Sequence, residues 1–230
     1  RNKKQEVEEE SKHFMNIDNY AKLNSNNKYL VKSLYFDNSS HTNFFEKVDG
    51  VNFRKKFRLR TYSNALNKLT DVFLEIKGRN QDKVFKKRTK INSADTDFFT
   101  TKINTNYLLK KYQNNEIVTD FVFDVLRKRV KPMVLVDYQR KPFINKYGLY
   151  FRLTFDSELI TSKTTYLFND KNFINPIKWK PDSTILEVKF ERSLPAWFNR
   201  IVQSYSLEKR SISKFVVSMC NLKIAEETSD

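Results

Sequence analysis

A run of four cations on alternate residues constrains the fold of this chain more than any other feature of its sequence. Residues 51–62 read VNFRKKFRLRTY, and Arg54, Lys56, Arg58 and Arg60 occupy every second position. Alternate residues of a β-strand share a face, so the segment predicts a strand with one cationic face and one mainly apolar face. Like charges at this spacing repel one another, so a face of this kind favours an anion beside it.

Charged and apolar residues alternate in a similar way in later segments. These segments are 71–79, 84–91, 134–143, 150–156 and 185–190. Charged faces that point outward would belong to ordinary solvent-facing strands of an antiparallel sheet. If they point inward, the sheet closes around a cationic lumen, and about eight strands leave room for side chains or one slender ligand. Because desolvated like charges require counter-ions, the inward arrangement predicts a polyanion as the occupant.

The overall charge agrees with an anionic partner. The chain has 230 residues, a formal net charge of +16 and a pI of about 9.7, and such a balance attracts polyanions. With 20 Phe and 11 Tyr, the composition is typical of a packed globular protein rather than a disordered basic tail. We expect a single domain over residues 1–230.

Cysteine content and hydropathy bear on location. Cys220 is the single cysteine, so an intramolecular disulfide cannot form, which favours a reducing compartment. No segment approaches the roughly 18 consecutive apolar residues of a membrane span, and the first residues do not resemble a signal peptide. We therefore expect a cytoplasmic protein. A membrane-associated partner outside this sequence, which would place the chain at the cytoplasmic face of a membrane, is left open.

Periodicity predicts an α+β fold. Strands are expected at 30–36, 51–62, 71–78, 83–91, 133–143, 149–156 and 184–190. Helices are expected at 2–14, from Ser40 as N-cap to Lys47, twice within 93–130, at 194–207 and at 211–224. Residues 166–179 are expected to be irregular, bounded by Pro176 and Pro181. The expected fold class is a closed antiparallel β-tunnel of about eight strands with helices packed on the outside.

Several common catalytic arrangements are excluded by the motifs. The chain lacks a glycine-rich loop followed by Lys and Ser or Thr, so any phosphate chemistry cannot use a P-loop. It also lacks a G-x-S-x-G elbow and a cysteine with an activating partner, so serine and cysteine hydrolases are excluded. His13 and His41 are far apart in the sequence, and neither belongs to a metal-ligand pair.

Two glutamates remain as candidates for chemistry. Glu75 and Glu187 each precede a lysine by two residues, in LEIK and LEVK. Each could form a local ion pair with neighbouring Lys or Arg, or could ligate a hard divalent cation that bridges phosphate oxygens. Cationic neighbours would keep either carboxylate ionised. Both alternatives are open at this point.

Seven short motifs together resemble a known family. They are RLR (58–60), LEIKGR (74–79), VFKKR (84–88), YQR (138–140), FRLTFD (151–156), LEVKF (186–190) and SKF (213–215). In this order, between about Ser33 and about Met219, they resemble the VTC-type polyphosphate polymerase domain of the triphosphate tunnel metalloenzyme superfamily.

The resemblance implies an activity and its ligands. Members of the family transfer the γ-phosphate of ATP to a growing polyphosphate chain inside a tunnel, with Mn²⁺ or Mg²⁺. The implied catalytic residues are Arg58, Arg60, Lys77, Lys86, Arg140, Arg152, Lys189 and Lys214. The same residues together with Arg88 are the expected phosphate- and polyphosphate-binding set. The implied metal ligand is Glu187, and Glu75 is the second candidate.

One departure from the family pattern concerns its first strand. The family normally begins with a strand that carries a Glu-x-Lys element and contributes to the tunnel. Here residues 2–14 favour a helix, so we expect that strand to be missing or truncated. Its absence would put tunnel closure and catalysis in doubt.

Three functions are therefore considered. The first is an ATP-dependent polyphosphate polymerase, which is a metal-dependent phosphotransferase. The second is a tripolyphosphatase or nucleoside triphosphatase of the same fold, in which water replaces the phosphate acceptor. The third is a non-catalytic module that binds polyphosphate or nucleic acid through its charge. Specific nucleic-acid binding is not expected, because Phe residues of the basic strands lie on the opposite face and cannot stack on bases there.

Overall fold

The structure is a computed structural model that describes residues 3–24, 26–67, 69–148, 150–168 and 174–226. Its helices are α1 (Lys3–Lys12), α2 (Asn19–Lys22), α3 (Thr42–Val48), α4 (Thr96–Phe99), α5 (Thr105–Lys111), α6 (Glu116–Lys128), α7 (Ala196–Ser204) and α8 (Lys214–Asn221), and a 3₁₀ helix at Ser93–Asp95 precedes α4. Among the described residues, none of these helices has the length and apolar character that crossing a bilayer requires.

The strands form an antiparallel sheet. They are β1 (Met15–Ile17), β2 (Tyr29–Asp37), β3 (Phe53–Thr61), β4 (Val72–Asn80), β5 (Lys83–Ile91), β6 (Lys131–Asn145), β7 (Phe151–Lys163), β8 (Ile174–Lys178) and β9 (Ile185–Phe190). The main path runs β5-β4-β3-β2-β6-β7-β8, while β1 pairs with β6 and β9 with β7. The fold is α+β, as predicted. Within the described residues the sheet is not closed, so the expected tunnel is not confirmed.

The described residues form two compact units. The large unit lies within Leu30–Asp137, Leu159–Trp179 and Ser213–Asp230, and the small unit lies within Arg1–Tyr29, Tyr138–Glu158 and Lys180–Ile212. The long strands β6 and β7 are each divided between the two units, with one segment in the large unit and one in the small unit. The expectation of a single domain stays a prediction.

One face of the large unit's sheet is apolar and packs against helices. The buried cluster on this face contains Leu34, Phe57, Leu59, Leu74 and Ile76 from the strands and Phe99, Leu108, Val118 and Phe121 from the helices. Asn115 is the N-cap residue of α6, and its side-chain oxygen accepts hydrogen bonds from the N–H groups of Ile117 and Val118. Helices in the region 93–130 therefore cover one face of the sheet, as their spacing predicts.

The predicted N-cap of α3 is wrong. Ser40 does not cap this helix, and its N-cap residue His41 makes no side-chain cap hydrogen bond. The buried carboxylate of Asp37 instead accepts from the N–H groups of Asn43 and Phe44, at 2.9 and 3.1 Å. The side chain of Asn38 accepts from the Thr42 N–H at 3.0 Å. Acceptors at the end of β2 satisfy the first donors of the helix, so a hydroxyl at position 40 is not needed.

Three predicted elements differ from the observed ones, and one of them is the strand expected at 149–156, because β7 continues to Lys163. The first of the two helices expected within 93–130 is divided into the 3₁₀ helix, α4 and α5. The segment 166–179, expected to be irregular, contains β8, which pairs with β7 through Thr161 and Ile177. β8 is the last strand of the main path, so one of its edges is not paired with another strand in the described part of the chain. Pro176, which has no backbone N–H group to donate, is therefore tolerated in β8. Residues 169–173 of that segment lie outside the described residues.

The small unit has its own apolar core. Its buried cluster contains Val7 of α1, Met15 of β1, Phe143 of β6, Phe151, Leu153 and Phe155 of β7, and Phe198 and Ile201 of α7. Beside it, the rings of Phe14 and Trp197 stack with centroids 4.5 Å apart. The strand β1 pairs with β6 from Met15 to Ile17. The chain therefore has a first strand of three residues, which the sequence pattern did not predict.

Asp95 joins the 3₁₀ helix to α5. Its carboxylate accepts hydrogen bonds from Tyr107 Oη at 2.9 Å and Tyr112 Oη at 2.7 Å, and it lies 2.8 Å from Lys111 Nζ. Burial raises the pKa of Asp95, but hydrogen bonds from Lys111 and the two tyrosines outweigh burial, so the net pKa is lowered. The ionised form therefore stabilises the fold.

We expect Asp95→Asn to lower the free energy of unfolding by about 1–3 kcal/mol near neutral pH, since charge-assisted hydrogen bonds are lost. Folding lowers the pKa of Asp95, so the stabilisation that its carboxylate gives to the folded state is complete above the unfolded pKa of about 3.9. This stabilisation is lost as the pH falls below that value. Urea unfolding curves of variant and wild type should therefore converge below about pH 3.9. The exposed neighbour variant Asp97→Asn is the control, and an equal loss there would contradict the assignment.

Candidate functional site

The second face of the large unit's sheet is densely cationic. We define the cationic face as Ser33 and Tyr35 of β2, Arg54, Lys56, Arg58 and Arg60 of β3, Glu75, Lys77 and Arg79 of β4, and Lys86, Arg88 and Lys90 of β5. Pairing places Arg58 opposite both Tyr35 and Glu75, and it places Glu75 opposite Arg88. The alternation seen in the sequence therefore puts these residues on one face. This set contains nine cations and one carboxylate.

Glu75 is buried at the centre of this face. Its Oε2 lies 2.6 Å from Arg58 Nη2 and 3.8 Å from Arg60 Nη1, and its Oε1 lies 3.2 Å from Lys86 Nζ. Burial raises the pKa of this carboxyl group, but Arg58, Arg60 and Lys86 outweigh burial and bring it to about 2. Glu75 is therefore ionised and ion-paired with three cations. Its role as a metal ligand stays a prediction.

β2 supplies neutral partners for the arginines. The Arg58 guanidinium donates to Tyr35 Oη at 2.8 Å, and Arg60 Nε donates to Ser33 Oγ at 3.1 Å. Together with Glu75, these contacts hold both guanidinium groups in fixed orientations. A guanidinium in a fixed orientation loses less conformational freedom when it makes a further contact with an anion. Ser33 and Tyr35 were not among the predicted site residues, although both lie on alternate residues of the predicted strand 30–36.

The outer part of the cationic face is more exposed. Lys77 and Lys86 are exposed and lie opposite each other in the β4–β5 ladder, next to Lys56 on β3. Desolvation lowers the pKa of Lys86. The Arg88 guanidinium lies 4.7 Å from the centre of the Phe73 ring. These exposed cations are accessible to an anion in solution.

The small unit carries a second charged cluster, on β6, β7 and β9. Arg140 binds Asp156 with two hydrogen bonds, Nε to Oδ1 at 2.7 Å and Nη2 to Oδ2 at 2.8 Å. Its Nη2 also lies 3.4 Å from Glu187 Oε2, and Lys189 Nζ lies 3.2 Å from Glu187 Oε1. Burial lowers the pKa of Arg140, but Asp156 and other anions outweigh burial and raise it. Arg140 therefore bridges two carboxylates. Asp156 as its main partner was not foreseen.

The side chain of Glu187 is partly exposed to solvent, although it is also paired with these cations. Its side chain is 37% exposed, whereas that of Asp156 is fully buried. Opposite Glu187 in the ladder is Thr154, whose buried hydroxyl has no hydrogen-bond partner within the described part of the chain. Among those residues no three His, Cys, Asp or Glu side chains form a group that could hold a metal ion. Any cation here would need oxygen ligands from water or from a bound phosphate.

The structure divides the predicted site residues between the two units. Arg58, Arg60, Glu75, Lys77, Lys86 and Arg88 lie on the cationic face, and Lys214 begins α8 of the same unit. The small unit holds Arg140, Glu187 and Lys189 in one cluster. Arg152 also lies there, opposite Lys189, and its Nη2 is 3.5 Å from Asp18 Oδ2. Convergence of both sets on one lumen stays a prediction.

A family model for the VTC domain matches residues 1–223. The chain belongs to the VTC domain family. This confirms the resemblance carried by the seven motifs, and the matched range also includes the region before Ser33. The VTC domain family is associated with polyphosphate-related phosphotransfer.

One solved structure is similar to this chain along most of its length. The PH1819 protein from Pyrococcus horikoshii OT3 is 15% identical, with a TM-score of 0.43, and the similarity covers 96% of this chain and 93% of that chain. Among curated proteins, none matches the chain.

Glu75→Gln should destabilise the large unit strongly. The change leaves Arg58, Arg60 and Lys86 without their shared counter-ion, and loss of one partner from a buried ion pair costs about 3–5 kcal/mol. We expect a decrease of this size in the free energy of unfolding, measured with urea at pH 7. Added sulfate should recover more stability in this variant than in wild type, because an anion can replace the missing charge.

Glu116→Gln is the matched control, because Glu116 is an exposed glutamate paired with Lys87 at 3.4 Å. An exposed ion pair contributes at most about 1 kcal/mol. Equal effects of the two substitutions would contradict a central role for Glu75.

Proposed function

We propose that this chain is an ATP-dependent polyphosphate polymerase, which transfers the γ-phosphate of ATP to a growing polyphosphate chain. The observation that carries the proposal is the cationic face, which has nine cations and one buried carboxylate, in a chain of the VTC domain family. Phosphate groups supply the negative charge and the acceptor oxygens that such a face binds. ATP and inorganic polyphosphate are the proposed ligands. Closure of the sheet into a tunnel is part of the proposal.

The proposed reaction needs no covalent protein nucleophile. A terminal oxygen of the acceptor chain attacks the γ-phosphorus of ATP and forms a new P–O bond. The bond from the γ-phosphorus to the bridging oxygen breaks, and ADP leaves with the electron pair. The protein contributes positioning and charge stabilisation, which dominate the catalysis of phosphoryl transfer.

Each unit has residues for this work. In the large unit, phosphate oxygens would be held by Arg58, Arg60, Lys77, Lys86, Arg88 and Lys214. In the small unit the corresponding cations are Arg140, Arg152 and Lys189. Arginine offers a planar fork of donors to two oxygens, while lysine offers a compact point charge.

We assign the divalent cation, Mn²⁺ or Mg²⁺, to Glu187. The donor set fits such an ion, because Mg²⁺ is commonly held by one or two carboxylates, with waters and substrate phosphates completing its shell. The partly exposed Glu187 and the unpartnered Thr154 hydroxyl opposite it support this assignment. When bound, the ion would neutralise charge that develops on the transferred phosphoryl group. Glu75 fits less well, since its two oxygens already face three cations.

Incubation of the protein with ATP and Mn²⁺, followed by gel analysis, tests the activity. We expect long polyphosphate chains and release of ADP. Short products without chains would indicate a triphosphatase of the same fold, because water would then replace the phosphate acceptor. No turnover, together with retained binding of tripolyphosphate, would indicate a non-catalytic binding module.

Glu187→Gln tests the metal assignment. The change keeps the size of the side chain but removes its charge, so turnover with Mn²⁺ should fall by ~10²-fold or more. Calorimetric affinity for metal-free tripolyphosphate should stay constant or increase, because a negative charge is removed. Arg60→Ala should instead weaken tripolyphosphate binding itself.

The exposed residue Glu191, which follows β9, provides the control Glu191→Gln. This variant removes the same charge nearby in the sequence and should keep wild-type turnover. Intact metal-dependent turnover in Glu187→Gln would refute the assignment, and Asp156 or Glu75 would then be the next candidate.

A further inference from the structure

Lys56 lies on the cationic face, but its surroundings differ from those of the cations that contact Glu75. Arg58, Arg60 and Lys86 share Glu75, whereas within the described residues no acid lies within 4.0 Å of Lys56 Nζ. The Lys56 ammonium lies 3.4 Å from Ser213 Oγ and 5.0 Å from the centre of the Phe215 ring. A half-buried charge with only a hydroxyl and a ring beside it is poorly compensated.

Tyr35 lies against the same Phe215 ring. The two ring centroids are 5.3 Å apart, and Tyr35 is 5% exposed. Its hydroxyl accepts a hydrogen bond from the Arg58 guanidinium at 2.8 Å. Within the described residues this hydroxyl donates to no acceptor. A phenol that accepts from an arginine therefore has its own proton available for a further anion.

We propose that Lys56 and Tyr35 form an additional phosphoryl-binding subsite of the cationic face. The Lys56 ammonium contacts a phosphate oxygen, and the Tyr35 hydroxyl donates a hydrogen bond to the same phosphate group. The occupant is a phosphoryl group of a polyphosphate chain or free inorganic phosphate. This inference rests on the proposed function and specifies where one phosphate of its ligand is bound.

Protonation of both groups follows from their surroundings. The charged groups that face Tyr35 are Arg58, Arg60 and Lys56, and those that face Lys56 are Tyr35, Lys77, Arg58 and Lys47. Burial lowers the pKa of Lys56 to about 8, with help from Lys77 and Arg58. Burial raises the pKa of Tyr35, but the nearby cations outweigh burial and bring it to about 8.

The direction of the pH effect is the same for both residues. A bound phosphate brings negative charge, which raises the pKa of the Lys56 ammonium and of the Tyr35 phenol. Binding therefore takes up protons near pH 8, where both free groups titrate. The contribution of the subsite to affinity is complete below this range and is lost as pH rises through it.

Titration calorimetry with tripolyphosphate tests the subsite, and inorganic phosphate serves as a second probe. At pH 7, Lys56→Met should reduce tripolyphosphate affinity about tenfold, the loss expected for one hydrogen bond to a charged group. At pH 10 this difference should largely disappear, because the wild-type lysine is then neutral. Buffers of different ionisation enthalpy should reveal proton uptake by wild type near pH 8, and less uptake by the variant.

Two further variants separate the roles. Lys56→Arg keeps the charge at every pH, so it should retain affinity at pH 7 with a weaker pH dependence. Tyr35→Phe keeps the ring against Phe215 but lacks the hydroxyl, so affinity should fall several-fold. In wild type at pH 8, added tripolyphosphate should reduce the ultraviolet absorbance of tyrosinate, and this change should be absent in Tyr35→Phe.

Lys87→Met is the matched control. Lys87 lies on β5 beside Lys86, but on the opposite face of the sheet, where it pairs with Glu116. The tripolyphosphate affinity and proton uptake of Lys87→Met should equal those of wild type.

The two probes distinguish the occupants of the subsite. If the affinity for inorganic phosphate depends on Lys56 as the affinity for tripolyphosphate does, the subsite binds free phosphate. If only the affinity for tripolyphosphate depends on Lys56, the subsite binds a phosphoryl group of a chain. Both outcomes support the subsite.

The subsite and the proposed function fail in different ways. Equal tripolyphosphate affinity of wild type, Lys56→Met and Tyr35→Phe at pH 7, with weaker binding by Arg60→Ala, would overturn the subsite and leave the proposed function intact. If wild type binds neither probe at millimolar concentration, the proposed function fails and the subsite fails with it.

Discussion

The buried contact between Glu75 and its three cations is the constraint on which the large unit depends. Strands β3, β4 and β5 carry like charges on one face, and pairing brings those charges within a few ångströms of one another. A face built this way is stable only where anions are interspersed with the cations. Glu75 provides the permanent anion for Arg58, Arg60 and Lys86. The exposed cations of the face are accessible to an anion in solution.

The small unit repeats this principle with different residues. Arg140 is held by two hydrogen bonds to the buried carboxylate of Asp156, much as Arg58 is held by Glu75. A guanidinium held in this way has a fixed orientation and remains charged at any ordinary pH. Glu187 differs from both buried acids, because part of its side chain is exposed. The buried acids orient arginines, whereas the partial exposure of Glu187 is the reason for proposing it, rather than them, as the metal ligand.

Lysine and arginine have different consequences on the cationic face. Arginines stay protonated whatever their surroundings, so they bind phosphate with little dependence on pH. A desolvated lysine titrates near neutrality, and the pKa of Lys56 is about 8. Binding of an anion there is coupled to protonation. In the proposed function, the face would therefore combine arginine contacts that do not depend on pH with one lysine contact that responds to pH.

The sequence by itself determined which residues share a face. Strict alternation of charged and apolar residues predicted the strands β3, β5 and β9 within about two residues, because only a period of two separates these residues into two faces. It also placed Arg58, Arg60 and Lys86 on one side of the sheet. The motifs carried the family resemblance, which the match over residues 1–223 confirms.

Only the tertiary structure decided which residues are partners across strands. The opposition of Glu75 to Arg58, the two hydrogen bonds from Arg140 to Asp156 and the contact of Tyr35 with Arg58 depend on register. Register is fixed by the packing of whole strands and is not encoded in any single strand. The hydrogen bonds that cap the N-terminus of α3 depend on the tertiary structure in the same way. Its acceptors come from the end of β2, whose position relative to the helix is set by the fold rather than by local sequence.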